Sequence, residues 1–218
     1  WWDWPAALAQ RDAKALSAAR ERLQREILYR QYVQWIAATQ WAAARARSQP
    51  VKVFGDVPFM ISADSPDVWT RQREFRFDAT VGVPPDAFSE TGQDWGLPPW
   101  RWDVMATNDF EWMKQRAKRT ASLFDGFRLD HLVGLFRTYI RPLDRSTKAF
   151  FAPADETTQR QLGERLVGLY QETGAEIVAE DLGSVPDFVR ESLLKLGVPG
   201  FKVMRWERRW DKPDHPFI

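Results

Sequence analysis

The sequence contains no cysteine, which excludes a disulfide framework, a thiolate metal site and a thiol nucleophile. Histidine is nearly as scarce. His131 and His215 are the only imidazoles, too few to suggest a zinc centre, and no metal is expected. Charge of one sign is missing as well: 31 lysines and arginines stand against 30 aspartates and glutamates, a formal net charge of +1. Basic residues are interleaved with acidic ones, so nucleic acid is not an expected partner. No uninterrupted apolar run approaches the length of a membrane span, and the opening Trp1 to Pro5 does not have the layout of a secretory leader. No membrane partner is expected, and a cytoplasmic location is the default. No glycine-rich G-x-G-x-x-G turn follows any strand-like run, so a dinucleotide fold has no support and no cofactor is expected.

What is present is an ordinary globular composition with one excess. Of the 218 residues 44% are apolar and 28% charged, enough for one large domain or two small ones. Twelve are tryptophan. Aromatic faces stack on sugar rings and also fill cores, so the excess points both ways.

The run from about Asp12 to Arg47 lacks glycine and proline. Leu16, Leu23, Ile27, Leu28, Tyr32, Trp35 and Ile36 recur there at near-helical spacing, which predicts one long amphipathic helix or two in series, packed on its apolar side. Val51 to Asp56 reads as a short buried strand stopped by Pro58. From Ser62 to Trp102 periodicity disappears among Pro66, Gly82, Pro84, Pro85, Gly92, Gly96, Pro98 and Pro99. An irregular stretch of that length predicts an inserted loop subdomain over a site. Its Phe88, Trp95, Trp100 and Trp102, set among Asp86, Ser89, Glu90, Gln93 and Asp94, could stack and hydrogen-bond a polyhydroxylated ligand; they could equally be anchors tucked onto the fold. A helix capped by Asn108 is predicted over Asp109 to Leu123, a strand from Phe124 to Leu129, a helix from Asp155 to Gly174 and a strand from Glu176. A proline-started helix from Pro186 to Leu196 and a fourth strand from Phe201 to Trp206 complete the series. Alternation of strand and helix argues for parallel strands with helical crossovers, in an α/β barrel or an open doubly wound sheet.

The chemistry sits at the strand ends. In Phe127-Arg128-Leu129-Asp130-His131, Arg128 and Asp130 project to one side of a strand. Asp56 closes the first strand, and Glu180-Asp181 closes the third in the same way. Cleaving a glycosidic bond with retention needs two carboxyls about 5 Å apart, one a nucleophile and one an acid then base. Asp130 and Glu180 stand at the ends of successive strands, so neighbouring staves can bring them together. Arg128 would keep Asp130 ionised, as a nucleophile requires. Glu180, beside Asp181 in a partly apolar site, would have its proton affinity raised for the leaving oxygen. The same pattern also suits a structural ion pair, or the magnesium sites of other barrels.

Six stretches carry a resemblance. Gly55-Asp56-Val57-Pro58, Asp64-Ser65-Pro66-Asp67-Val68-Trp69, Gly82-Val83-Pro84-Pro85-Asp86, Phe88 to Gly96, Phe127 to His131 and Ala179 to Gly183 fall in the order of the 4-α-glucanotransferases, the amylomaltase or disproportionating-enzyme family of the α-amylase clan. The similarity runs from Trp1 to about Trp206. It implies a (β/α)8 TIM barrel with inserted subdomains, acting on maltooligosaccharides or α-1,4-glucan by a retaining double displacement. By matching position, Asp130 is similar to the family's nucleophile and Glu180 to its general acid/base. Arg128 resembles the arginine beside the nucleophile, Asp56 the aspartate near the cleaved sugar, and Gln93 and Trp95 the sugar contacts on the covering loop; His131 joins the substrate-binding set.

The chain also departs from the family. Ala87 stands where a tyrosine usually follows Pro-Pro-Asp, and Leu97-Pro98-Pro99-Trp100 replaces the usual Asn-Pro-Leu-Tyr. The family's third carboxylate, in a later Thr-His-Asp stretch, would fall beyond Ile218. A whole barrel needs about 250 residues, so about four strands and a long insertion are expected to make a partial barrel. This chain alone is then expected to show little or no activity. A hydrolase of the same clan and a non-catalytic glucan-binding fragment are the alternatives.

Overall fold

The computed structural model describes residues 1–85, 89–144 and 146–204. Asp86, Ala87 and Phe88 of the covering loop, Arg205 and Trp206 of the expected fourth strand, and His215 lie outside them.

The N-terminal third is helical. α1 (Ala6–Ala9) is followed by α2 (Ala13–Arg22), capped by the Asp12 carboxylate, which accepts from Ala15 N–H at 2.9 Å. Leu23 breaks the run and α3 (Gln24–Ser48) follows, so two helices in series form. Only the C-terminal part of α3 is tied down here: Trp41 Nε1 donates to Leu123 O at 2.8 Å, and Arg45 pairs with Asp125 at 2.5 Å. The expected packing of its apolar side is not seen, for α3 has no buried residue and Leu28, Tyr32 and Trp35 are exposed.

Three short parallel strands follow: β1 (Phe54–Val57), β4 (Gly126–Leu129) and β7 (Glu176–Ala179), in spatial order β1-β4-β7. Between β1 and β4 come α4 (Pro66–Thr70), a 3₁₀ turn (Gln72–Glu74), β2 (Ala79–Val83), β3 (Gln93–Leu97), α5 (Trp102–Ala106) and α6 (Glu111–Leu123). Between β4 and β7 come α7 (Val133–Phe136), β5 (Thr138–Pro142), β6 (Phe150–Ala152) and α8 (Glu156–Gln171). α9 (Asp187–Leu196) closes the series, begun after Pro186 and stopped by Gly197 in the left-handed region.

Register decides which side chains share a face. Gly55, Phe127 and Ile177 align across the sheet, as do Val57, Leu129 and Ala179. Except for Gly55 these residues are buried against Met113 and Ala117 of α6, Leu166, Val167 and Tyr170 of α8, and Val189 of α9, in one apolar core. The alternate positions, Phe54, Asp56, Arg128 and Val178, face the other way and are left partly or fully open. One face is a helix-covered core; the other carries the charge.

The stretch 62–102 is more regular than its prolines and glycines suggest. β2 and β3 form an antiparallel hairpin, and β5 and β6 extend it into a four-stranded sheet of order β3-β2-β5-β6. Short strands interrupted by Gly82 and Gly96 carry little alternation, and half of the sheet comes from a segment about fifty residues later. The fourth parallel strand is not formed in its described part: Phe201 to Met204 have no strand structure. The pairing begins one residue earlier, where Gly200 bridges Ala179 in parallel and Pro199 O accepts from Ala179 N–H at 2.8 Å. Phe201 N–H then turns aside to the Asp181 carboxylate at 2.8 Å, which ends the ladder.

Candidate active site

The carboxyl ends of β1, β4 and β7 carry Asp56, Asp130 and Glu180. The ladder runs one step past the strands, with Asp130 N–H donating to Val57 O at 3.0 Å and Glu180 N–H to Leu129 O at 2.9 Å. Asp130 and Glu180 are therefore opposite one another on neighbouring strands, with backbones about 4.8 Å apart by sheet geometry. Because side chains alternate, both share the face of Asp56 and Arg128.

Arg128 joins the group. Its Nη1 donates to Oδ1 and Oδ2 of Asp56 at 2.8 and 3.0 Å, and its Nη2 donates to Oδ1 of Asp130. Burial alone would lower the guanidinium, but the hydrogen bond to Asp56 and the charges of Asp130, Asp56 and Glu180 outweigh it and raise it above its usual value. One cation thus senses all three carboxylates.

Glu180 is held differently. Its Oε2 accepts from His131 N–H at 2.8 Å and its Oε1 from Leu182 N–H at 3.0 Å. The like-charged neighbour expected to act on it is turned away. Asp181 pairs with Arg190 of α9 at 3.0 Å and accepts from Phe201 N–H, because successive residues at a strand end face opposite sides.

His131 packs against Trp95 of β3. Its ring meets Trp95 edge-on at 4.7 Å and Phe59 at 5.5 Å. Burial lowers it to about 4 against the opposing pull of Asp130, so the imidazole is neutral at pH 7. Its backbone is left-handed, φ 42°. Gly134 makes room for this packing, since a Cβ there would sit 2.6 Å from the Phe59 ring and 2.9 Å from His131 Cδ2. On β3, Trp95 Nε1 donates to Gln93 Oε1 at 3.0 Å, which fixes the amide beside the indole. Gln93, Trp95 and His131 line one cleft of about 220 Å³ with Leu182 and Gly183 of the loop after Glu180. The structure thus gathers all seven expected residues at one end of the parallel sheet, in two linked groups: the charged cluster on Arg128 and the aromatic cleft around His131.

Sequence reading passed over Arg137. It lines the same cleft, with its guanidinium 4.1 Å from the Phe151 ring centroid. Its Nε is buried without a hydrogen-bond partner, and burial lowers its proton affinity. It forms no ion pair within the described residues. The available signal was a lone cation in the otherwise uncharged run Leu132 to Ile140. Among the described residues no three histidines or carboxylates converge as a metal site, and no helix is long and apolar enough to cross a membrane.

A profile of the family described as 4-alpha-glucanotransferase matches residues 1–217. The chain belongs to that family. A 4-alpha-glucanotransferase of Chlamydia caviae is 34% identical over 212 residues, covering 96% of this chain and 39% of its own length. That of Thermus thermophilus is 32% identical over 228 residues, covering 100% of this chain and 44% of its own. Among solved structures, an amylomaltase from Streptococcus agalactiae in complex with acarbose superposes with a TM-score of 0.80 at 28% identity, over 94% of this chain and 43% of that one. The chain thus spans about two fifths of the 4-alpha-glucanotransferases it matches, and its three staves and their helices are part of a (β/α)8 barrel.

Proposed function

We propose that this segment carries the two reacting carboxylates of a retaining 4-α-glucanotransferase, which moves α-1,4-glucan segments between maltooligosaccharides. The observation supporting this most directly is the in-register placement of Asp130 and Glu180 on one face of adjacent staves, with Arg128 bridging Asp56 and Asp130. In this reading Asp130 attacks the anomeric carbon while Glu180 gives its proton to the glycosidic oxygen, and the shortened glucan leaves with a free 4-hydroxyl. Asp130 is then esterified to the retained sugar. An acceptor 4-hydroxyl, losing its proton to Glu180, attacks the same carbon and restores both carboxyls.

Arg128 fixes the direction of the Asp130 carboxyl through its hydrogen bond to Oδ1. Asp56 completes the pair and faces the cleaved ring. Trp95, His131, Gln93 and Arg137 bind the sugar beside the reacting carbon: Trp95 by stacking, the neutral imidazole and the amide by hydrogen bonds, and Arg137 by donating to hydroxyls. The stretch 62–102 acts as the covering loop, excluding water from the ester so that transfer prevails over hydrolysis. We place the protein in the cytoplasm.

The test is incubation with maltotriose, of this chain alone and of a full-length enzyme containing it, with products resolved by chromatography. Maltotetraose and longer oligomers appearing together with glucose support transfer. Glucose and maltose alone would assign hydrolysis. Maltodextrin binding without turnover by the longer enzyme would reduce the segment to a binding fragment. For this chain alone little or no turnover is expected.

A further inference from the structure

A cavity of about 890 Å³, four times the cleft beside His131, lies away from the carboxylates, where α5, Phe110 ahead of α6 and the first turns of α8 meet residues 75–78, Ile140 of β5 and Ala152 of β6. No residue of β1, β4 or β7, or of the loops carrying Asp56, Asp130 and Glu180, takes part in it.

Its lining has a definite chemistry. Phe77, 37% exposed, presents its ring at the rim with Trp2 edge-on to it at 5.1 Å, and the buried Trp100, Trp102 and Phe110 back the apolar floor. Two consecutive left-handed residues, Asp109 and Phe110, turn the chain so that the Phe110 ring closes one side. The charged groups cancel in pairs. Arg76 binds Asp78 through two hydrogen bonds of 3.0 and 2.7 Å, and Arg101 stands 3.6 Å from Asp103. Of the two adjacent tryptophans, Trp102 donates its indole N–H to Thr138 Oγ1 at 3.2 Å, while that of Trp100 is buried without a partner.

One exposed aromatic face on an apolar floor, with electrically neutral, hydrogen-bonding edges, matches a neutral ligand whose rings have apolar faces and hydroxyl rims. An anion would find no net positive charge. A purely apolar ligand would desolvate the two ion pairs for no return. We propose that this cavity is a second carbohydrate site, which takes the chain of a maltodextrin at a distance from the carboxylates, with Phe77 as its stacking platform. The choice of sugar rests on the α-glucan reading above; the site itself rests on this cavity.

The test is titration of this chain with maltoheptaose by isothermal calorimetry. Phe77→Ala is expected to weaken maltoheptaose binding about tenfold, and Phe77→Trp to restore it. Ala106→Trp, which fills the cavity from its exposed rim, is expected to abolish it, with circular dichroism confirming the fold. Affinity in Phe77→Ala and Ala106→Trp equal to that of the parent overturns the proposal, as does a parent chain that shows no binding of maltoheptaose. If maltotriose transfer by the longer enzyme fails while binding remains dependent on Phe77, the carboxylate reading falls and the cavity stands; the converse result removes only the cavity.

Discussion

The backbone N–H of His131 donates to Oε2 of Glu180 at 2.8 Å. The residue that follows Asp130 in sequence thus positions the carboxyl paired with Asp130 in the proposed chemistry. A second backbone donor, Leu182 N–H, holds the other oxygen, so Glu180 is oriented by main chain, which cannot be repacked as a side chain can.

This predicts how amides behave at the two positions. In a full-length enzyme containing this segment, Asp130→Asn and Glu180→Gln should each lower maltotriose transfer by at least about 10³-fold. Glu180→Gln should also cost stability, because one amide N–H₂ must face a backbone N–H where an oxygen stood, a loss of about 1–2 kcal/mol. Transfer rates and thermal melts of both variants check this. A near-normal rate in either would remove that residue from the mechanism.

Removing Arg128 leaves Asp56 and Asp130 without their shared cation. Arg128→Ala should therefore destabilise the chain by about 1 kcal/mol at pH 7, a modest value because Asp56 is 54% exposed and water screens it. The loss should shrink in about 1 M salt, which screens the exposed part of the pair. Arg128→Lys should recover part of the stability but not the two-oxygen hold on Asp56. Urea unfolding of the three proteins at low and high salt measures it.

His131 makes stability depend on pH with a definite sign. Its folded value of about 4 lies below the 6.5 of an unperturbed imidazole, so between those two values the unfolded chain binds a proton that the folded chain refuses. Stability from this group is complete above about pH 6.5 and falls as pH drops toward 4, by roughly 3 kcal/mol in all. His131→Gln should flatten that part of the profile; an unchanged slope would place the pH dependence elsewhere.

Two glycines of one helix should respond oppositely to alanine. A Cβ at Gly163 would lie 2.1 Å from the buried Phe136 ring, so Gly163→Ala is expected to cost about 1–3 kcal/mol through overpacking between α8 and α7. Gly168, also inside α8, has nothing within 4 Å of its Cβ position. Gly168→Ala should stabilise by about 0.5–1 kcal/mol through helix propensity. Melting temperatures of the pair separate the two effects.

Clearing the covering loop of its indole should change the partition of products. Trp95→Ala in the full-length enzyme opens the cleft over His131 to water, and the share of hydrolysis in maltotriose turnover should rise several-fold. Glucose release relative to maltotetraose formation reports it, and an unchanged ratio would deny Trp95 that role.

Much of this was legible in the residues themselves. Apolar runs ending in Asp56, Asp130 and Glu180, the helix beginning at Asp155, and the Pro186 and Gly197 bounds of α9 are local signals, set by backbone preference and alternation within a few positions. What tertiary structure alone decided involves residues far apart in the chain. β2 and β3 are completed by β5 and β6, which no local periodicity announces. Asp181 turns to Arg190 instead of loading Glu180 with like charge. Arg137 ends beside Phe151 at the edge of the cleft around His131, and Phe201 N–H turns to the Asp181 carboxylate, with no strand over Phe201 to Met204. Local sequence sets which side chains alternate along a strand; register between strands, which depends on packing across tens of residues, sets which of them meet.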